Sequence, residues 1–195
     1  MTSSVGLVLL TPGSGGSADH PTLIDLEQQL KTRLGLEVVR YDFAYRRAGK
    51  KSPGRADRLV GELAEVVAQH AADRGLETGS VVIGGRSMGG RVCSMAVAEG
   101  LAAAGLLMLS YPLHPPGKPE STRVAHWPQI AVPSLFVSGD NDPFGRPDEF
   151  DREFPALAHA PAAVWLEGGA HDPKRKDHRG RIVDETVDWI SSTFG

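Results

Sequence analysis

The sequence predicts a single α/β domain: a doubly wound, mostly parallel sheet of six strands, flanked by helices and without a large cap. Three observations carry that expectation. Short apolar runs alternate with amphipathic helical stretches along all 195 residues. The runs are almost continuously apolar, as strands buried on both faces must be. One of them, Ser80–Gly84, passes through Gly85-Arg86-Ser87-Met88-Gly89-Gly90 into a helix-like stretch, Arg91–Ala98.

The elements follow in order. The first strand is expected over Val5–Leu10, before the turn Thr11-Pro12-Gly13-Ser14-Gly15-Gly16. Leu23, Leu26, Leu30 and Leu34 then recur at helical spacing. Glu37–Asp42 reads as the second strand. Leu59, Leu63, Val66, Val67 and His70 mark one face of a helix from Ala56 to Arg74. Ser80–Gly84 is the third strand, and its helix runs to Gly100. Gly105–Ser110 is the fourth strand. Pro112–Pro133 holds six prolines and is expected to be mostly loop, with a short helix at most. Ser134–Ser138 is the fifth strand. Pro147–Ala158 reads as a helix with Pro147 in its first turn, where a missing N–H is harmless. Ala162–Leu166 is the sixth strand, and Ile182, Val183, Val187, Trp189 and Ile190 mark the closing helix. Right-handed crossovers between such strands give a parallel sheet. No repeat, linker or second domain breaks the pattern.

Composition narrows the function classes. Hydrophobic content of 41% and charged content of 23% suit a soluble globular chain. A net charge of −3 argues against a nucleic-acid partner. The single cysteine, Cys93, forbids an intramolecular disulfide and sits where a small buried side chain is expected. The N-terminus lacks a basic segment before a long apolar run, and no run reaches the ~18 apolar residues of a membrane helix. A cytoplasmic location away from membranes is therefore expected. No H-E-x-x-H or Cys/His spacing is present, so no metal and no cofactor are expected. Oligomeric state is not legible.

The chemistry-bearing residues lie where such a sheet places ligands, beyond the carboxyl ends of its strands. A serine at the apex of G-x-S-x-G, between strand and helix, is the pattern of a nucleophile elbow. Its glycines let strand and helix approach around a strained turn. A serine hydroxyl needs an imidazole to accept its proton, and the imidazole needs a carboxylate to hold its tautomer. The loop Gly139-Asp140-Asn141-Asp142-Pro143-Phe144 offers the acid, and Glu167-Gly168-Gly169-Ala170-His171-Asp172 offers the base. Chain order Ser87, Asp142, His171 is that of α/β hydrolases. Asp140 is the alternative acid. His20, His70, His114 and His126 precede the acid loop, His159 precedes the last strand, and His178 opens the final helix, so His171 is preferred. Backbone amides of Met88 and of Ser14 are the expected oxyanion donors. The Thr11–Gly16 turn lacks the Lys-Ser/Thr ending of a phosphate loop.

Substrate choice has three candidate determinants. Arg40–Arg58 carries a local charge of +5 and His171–Arg181 one of +3, readable as attraction of an anionic substrate or as a solvated surface. Arg86, beside the elbow serine, either pairs a substrate carboxylate or an internal acid such as Asp42. Tyr111, His114 and Trp127, in or beside the proline-rich loop that replaces a cap, are candidates to line the cleft.

Over nearly its whole length the chain resembles the α/β-hydrolase superfamily. It is most similar to small capless members related to testis-expressed protein 30 and to the third subunit of the NSL chromatin complex. Dienelactone-hydrolase-like proteins are wider neighbours. The resemblance is carried by Gly84–Arg91, by Ser110-Tyr111-Pro112-Leu113-His114-Pro115-Pro116-Gly117-Lys118-Pro119, by Gly139–Gly145 and by Gly169-Ala170-His171-Asp172. It implies a serine-hydrolase triad at Ser87, Asp142 and His171 but no substrate; the elbow and the triad order themselves point to a small-molecule, ester-type substrate. The resemblance also admits a scaffold that keeps the fold without catalysis, or other chemistry on the same fold. One departure stands: such proteins often read His-Gly after the first strand, and here Pro12 precedes Gly13.

Overall fold

The computed structural model describes residues 5–195. Leu7–Thr11 forms β1, Pro21–Leu34 α1, Glu37–Arg40 β2 and Ala44–Arg47 a single-turn α2. Arg58–Ala72 is α3, Val81–Arg86 β3, Met88–Ala98 α4 and Gly105–Leu109 β4. Ser134–Gly139 is β5, Pro147–Glu153 α5, Ala162–Leu166 β6 and Lys176–Phe194 α6. The strands form one sheet in the order β2-β1-β3-β4-β5-β6. Every neighbouring pair is parallel. The chain therefore winds outward in both directions from β1 and β3, and the order reverses between them. That reversal opens a crevice at the carboxyl ends of β1 and β3, where the loops diverge.

Each central strand feeds two cores, because alternate residues point to opposite faces. Leu7 and Leu9 join Leu59, Leu63 and Val67 of α3 and Val92 and Ala96 of α4 on one face. Val8 and Leu10 join Leu23, Leu26 and Leu30 of α1 and Ile182, Val183, Val187 and Ile190 of α6 on the other. Burying both faces explains the unbroken apolar runs of β1 and β4, all of whose residues are buried. The edge strands read differently: β2 is exposed to half-buried, and the outer residues of β6 are exposed.

Several boundaries depart from expectation for physical reasons. The last helix before β6 was expected to reach Ala158, but α5 stops at Glu153 and continues as a 3-10 turn over Phe154–Ala156. Pro155 has no N–H to extend the helix and restricts the residue before it. The second strand ends at Arg40 rather than Asp42, and α2 follows. Four residues are too few to show a helical period. The proline-rich segment is irregular except for a 3-10 turn at Trp127–Gln129.

Candidate active site

The turn between β3 and α4 holds Ser87 at φ 49° and ψ −118°, a region that side chains rarely occupy. Strand pairing forces it there. Ser87 N–H still donates to Leu109 O at 2.8 Å, as the last rung between β3 and β4. One residue later the chain is helical, and Ser87 O accepts from Arg91 N–H at 3.1 Å. Glycine is required around this reversal. A Cβ on Gly89 would lie 2.5 Å from Thr11 Oγ1 and 2.6 Å from Pro12 O, so only glycine lets the β1 turn lie against the elbow.

The acid and base arrive on the turns after β5 and β6. His171 Nδ1 lies 2.8 Å from Asp142 Oδ2, and His171 Nε2 lies 2.8 Å from Ser87 Oγ. Asp142 is almost wholly buried, and its other oxygen accepts from Phe144 N–H at 2.8 Å, fixing the carboxylate plane. The Phe144 ring packs on the imidazole at 4.1 Å between centroids. The two turns touch backbone to backbone: Asn141 N–H donates to Gly169 O at 2.9 Å, and a Cβ on Gly139 would collide with Gly169 O. Asp140 turns away and accepts from the Asn141 side chain at 3.0 Å, so the choice between the two acids falls geometrically on Asp142.

A cleft of about 530 Å³ opens over this relay. Gly13–Gly16, Ser52–Gly54, Ser87, Met88, His171 and Asp172 form much of its wall. The amides of Met88, the first residue of α4, and of Ser14, in the turn after β1, donate to no acceptor among the described residues, and for Met88 this is the usual state of a first helical N–H. Ser14 O accepts from Tyr45 Oη at 2.8 Å, which steadies the turn. Within the described residues no cluster of His, Cys, Asp and Glu is built to hold a metal. No helix among them is long and apolar enough to cross a membrane.

With this geometry in place, comparison with known proteins is decisive at one level. A family model described as an alpha/beta hydrolase domain matches residues 4–194. The chain belongs to that family. This α/β hydrolase is also similar in structure to Est1E from Butyrivibrio proteoclasticus, solved with ferulic acid, at TM-score 0.79 and 16% identity, over 98% of this chain and 90% of that one. A dienelactone hydrolase from Anabaena variabilis superposes at 0.74 and 20% identity, over 98% and 88%. A serine hydrolase without lid from Xanthomonas campestris superposes at 0.71 and 23%, over 95% and 84%. At these identities the likeness is one of fold. No curated protein matches the sequence.

Other candidates fall elsewhere in this α/β hydrolase. Tyr111, expected to line the cleft, is fully buried instead, packing edge-on to Phe136 and Phe150. Its hydroxyl donates to Arg123 O at 2.8 Å and accepts from Trp127 Nε1 at 3.3 Å, and Trp127 is likewise buried. Aromatic rings of that size stay inside when their polar atoms find partners. His114, also expected in the cleft, is buried with Nε2 3.2 Å from Glu149 Oε2, and its N–H donates to Phe144 O at 3.0 Å. It braces the acid turn rather than meeting the cleft. Arg86 does line the cleft and takes an internal acid, but Asp172 at 2.9 Å rather than Asp42, which accepts from Ala18 N–H. Arg86 also donates to His171 O at 3.2 Å, so it ties the base turn to the elbow. Cys93 is buried in α4, and burial pushes its thiol up to about 12.

No lysine or arginine of the two basic segments lines the cleft. Arg55, Arg175, Arg179 and Arg181 hold nearby carboxylates instead. The cleft arginines are Arg86, Arg91 and Arg123. The latter two escaped sequence reasoning, because nothing in a linear pattern says which arginine lacks an acid nearby.

Proposed function

We propose that the chain is a serine hydrolase that cleaves a carboxylic ester, thioester or lactone through an acyl-enzyme. The observation that carries this reading is the unbroken Asp142–His171–Ser87 chain of 2.8 Å contacts opening on the cleft. Ser87 Oγ attacks the acyl carbon while His171 Nε2 takes its proton. The negative charge that develops on the carbonyl oxygen falls to the amides of Met88 and Ser14. His171 then protonates the leaving group, and a water activated by the same nitrogen releases the acid. Asp142 keeps the Nδ1 proton in place and stabilises the imidazolium. The closer likeness to the testis-expressed protein 30 and NSL-subunit branch belongs to the same proposal and rests on the four segments quoted above.

A fluorophosphonate reagent tests it, because only an activated serine reacts fast. Wild type is expected to label at one site. Ser87→Ala abolishes labelling, and His171→Ala slows it by about 10³-fold or more. A folded wild type that does not label would overturn the reading and return the scaffold alternative.

A further inference from the structure

Three arginines face the cleft, and only one is neutralised. Arg86 holds Asp172, the one carboxylate in the cleft wall. His20 lies 3.3 Å from the same Asp172 oxygen, so Arg86 and His20 share that oxygen. Arg91 forms no ion pair or side-chain hydrogen bond among the described residues, and its Nε is buried without a partner. The Arg123 guanidinium reaches only Pro112 O, at 3.5 Å, too long for a firm bond. Nine other arginines of the chain do hold an Asp or Glu. Among the arginines without an acid partner, Arg91 and Arg123 are the two that line the same cleft as Ser87.

They are also close enough to repel. The Arg123 guanidinium is held below its ordinary range by burial and then by the charge of Arg91. His126 is pushed down to about 4 by burial and then by Arg91. It stays neutral and is held 2.7 Å from Ser94 Oγ. A half-buried pair of like charges is costly unless something anionic sits between them.

The backbone nevertheless fixes both. Arg91 is one helical turn beyond Ser87 on α4, with its N–H on Ser87 O. Arg123 N–H donates to Leu113 O at 2.7 Å, and its carbonyl is held by the Tyr111 hydroxyl. Tyr111 and Trp127 thus act as a buried post beneath Arg123. Two planar guanidinium groups on backbone positions held this way suit a flat oxyanion such as a carboxylate.

We propose that Arg91 and Arg123 form an anion subsite of the cleft, and that the ester cleaved at Ser87 bears a carboxylate. This deepens the serine-hydrolase reading and rests on it for the reaction, but not for the binding. Two pairs of probes separate the side of the scissile bond. 4-Nitrophenyl hemisuccinate against 4-nitrophenyl acetate places the carboxylate on the acyl side. 3-Acetoxybenzoate against phenyl acetate places it on the leaving group.

For at least one pair, kcat/KM corrected for leaving-group reactivity is expected to favour the anion by tenfold or more, about the worth of one charged hydrogen bond. Arg91→Gln and Arg123→Gln should each reduce that preference about tenfold, and Arg91→Lys should restore part of it. Binding of succinate to Ser87→Ala, followed by calorimetry, gives a second readout independent of turnover. It should weaken in the Arg91→Gln and Arg123→Gln backgrounds, with inorganic phosphate run alongside to separate carboxylate from a generic anion. No anion preference in either pair, with fluorophosphonate labelling intact, would overturn the subsite and leave the hydrolase reading standing. Succinate binding that neither substitution weakens, or phosphate binding in preference to succinate, would overturn it as well. Loss of labelling with succinate binding retained would instead reject the hydrolase reading alone.

Discussion

Ser87 carries φ 49° and ψ −118°, and Ser110, the next residue after β4, carries φ 48°. Only Ser87 combines that backbone with a hydroxyl 2.8 Å from an imidazole. Such a conformation costs a non-glycine residue on the order of 1–3 kcal/mol. At an unstrained position, replacing alanine by glycine loosens the unfolded chain and destabilises by about 0.4–1 kcal/mol. Here the sign should invert. Ser87→Gly is expected to be more stable than Ser87→Ala by about 1 kcal/mol, read from urea unfolding, while both are inactive. Alanine matching or exceeding glycine would show that the elbow holds no strain. Arg86 illustrates a different restraint at this scale. It is buried, and desolvation lowers its affinity for a proton despite the nearby Asp172 and Asp142. Its bonds to Asp172 and to the His171 carbonyl nonetheless keep the turn that carries His171 over Ser87.

At the scale of elements, the turns after β5 and β6 must meet without side chains between them. Gly139 ends β5, and a Cβ there would strike the Gly169 carbonyl, a backbone group that no rotamer change can move. Gly139→Ala should therefore separate the turns, break the Asn141–Gly169 bond and draw Asp142 from His171. The expected cost is about 1–3 kcal/mol of stability with a tenfold or greater loss in fluorophosphonate labelling rate. Gly180 lies inside α6 with open space around it, so Gly180→Ala should go the other way, gaining up to about 1 kcal/mol. Equal effects of the two would refute the close-approach argument. Which features were legible follows from similar reasoning. Strands such as Val81–Arg86 announce themselves, because burial on both faces leaves little room for polar residues. The order of Ser87, Asp142 and His171 could be read because each follows a strand, and the strand ends meet. The loop from Pro112 to Pro133 has no period, so Tyr111 beside it and Trp127 within it looked like lid residues, yet they are pillars of the core. The bare state of Arg91 and Arg123 depends on carboxylates that are absent in space, which no local pattern encodes.

At the scale of the whole molecule, one sheet separates two cores but joins them through the same strands. Leu63 of α3 lies in one core and Leu26 of α1 in the other, and both are fully buried. Adjacent strand residues, such as Leu9 and Leu10, belong to opposite cores, so neither can melt while the sheet stands. The helix α6 reinforces this coupling. It follows β6 at one edge yet packs on α1, which leads into β2 at the other edge. Unfolding should therefore be a single cooperative transition, with tryptophan fluorescence and far-UV circular dichroism coinciding in urea. Trp127 reports one core and Trp189 the other. Leu26→Ala and Leu63→Ala should each lower stability by about 2–5 kcal/mol and move both probes together. If Leu26→Ala shifted the signal of Trp189 and left that of Trp127 in place, the two faces would be independent units. The hydrogen-bonded relay of Ser87, His171 and Asp142, which follow strands β3, β6 and β5, would then outlast the loss of one face. If the probes stay together, the geometry at the strand ends exists only while both cores do.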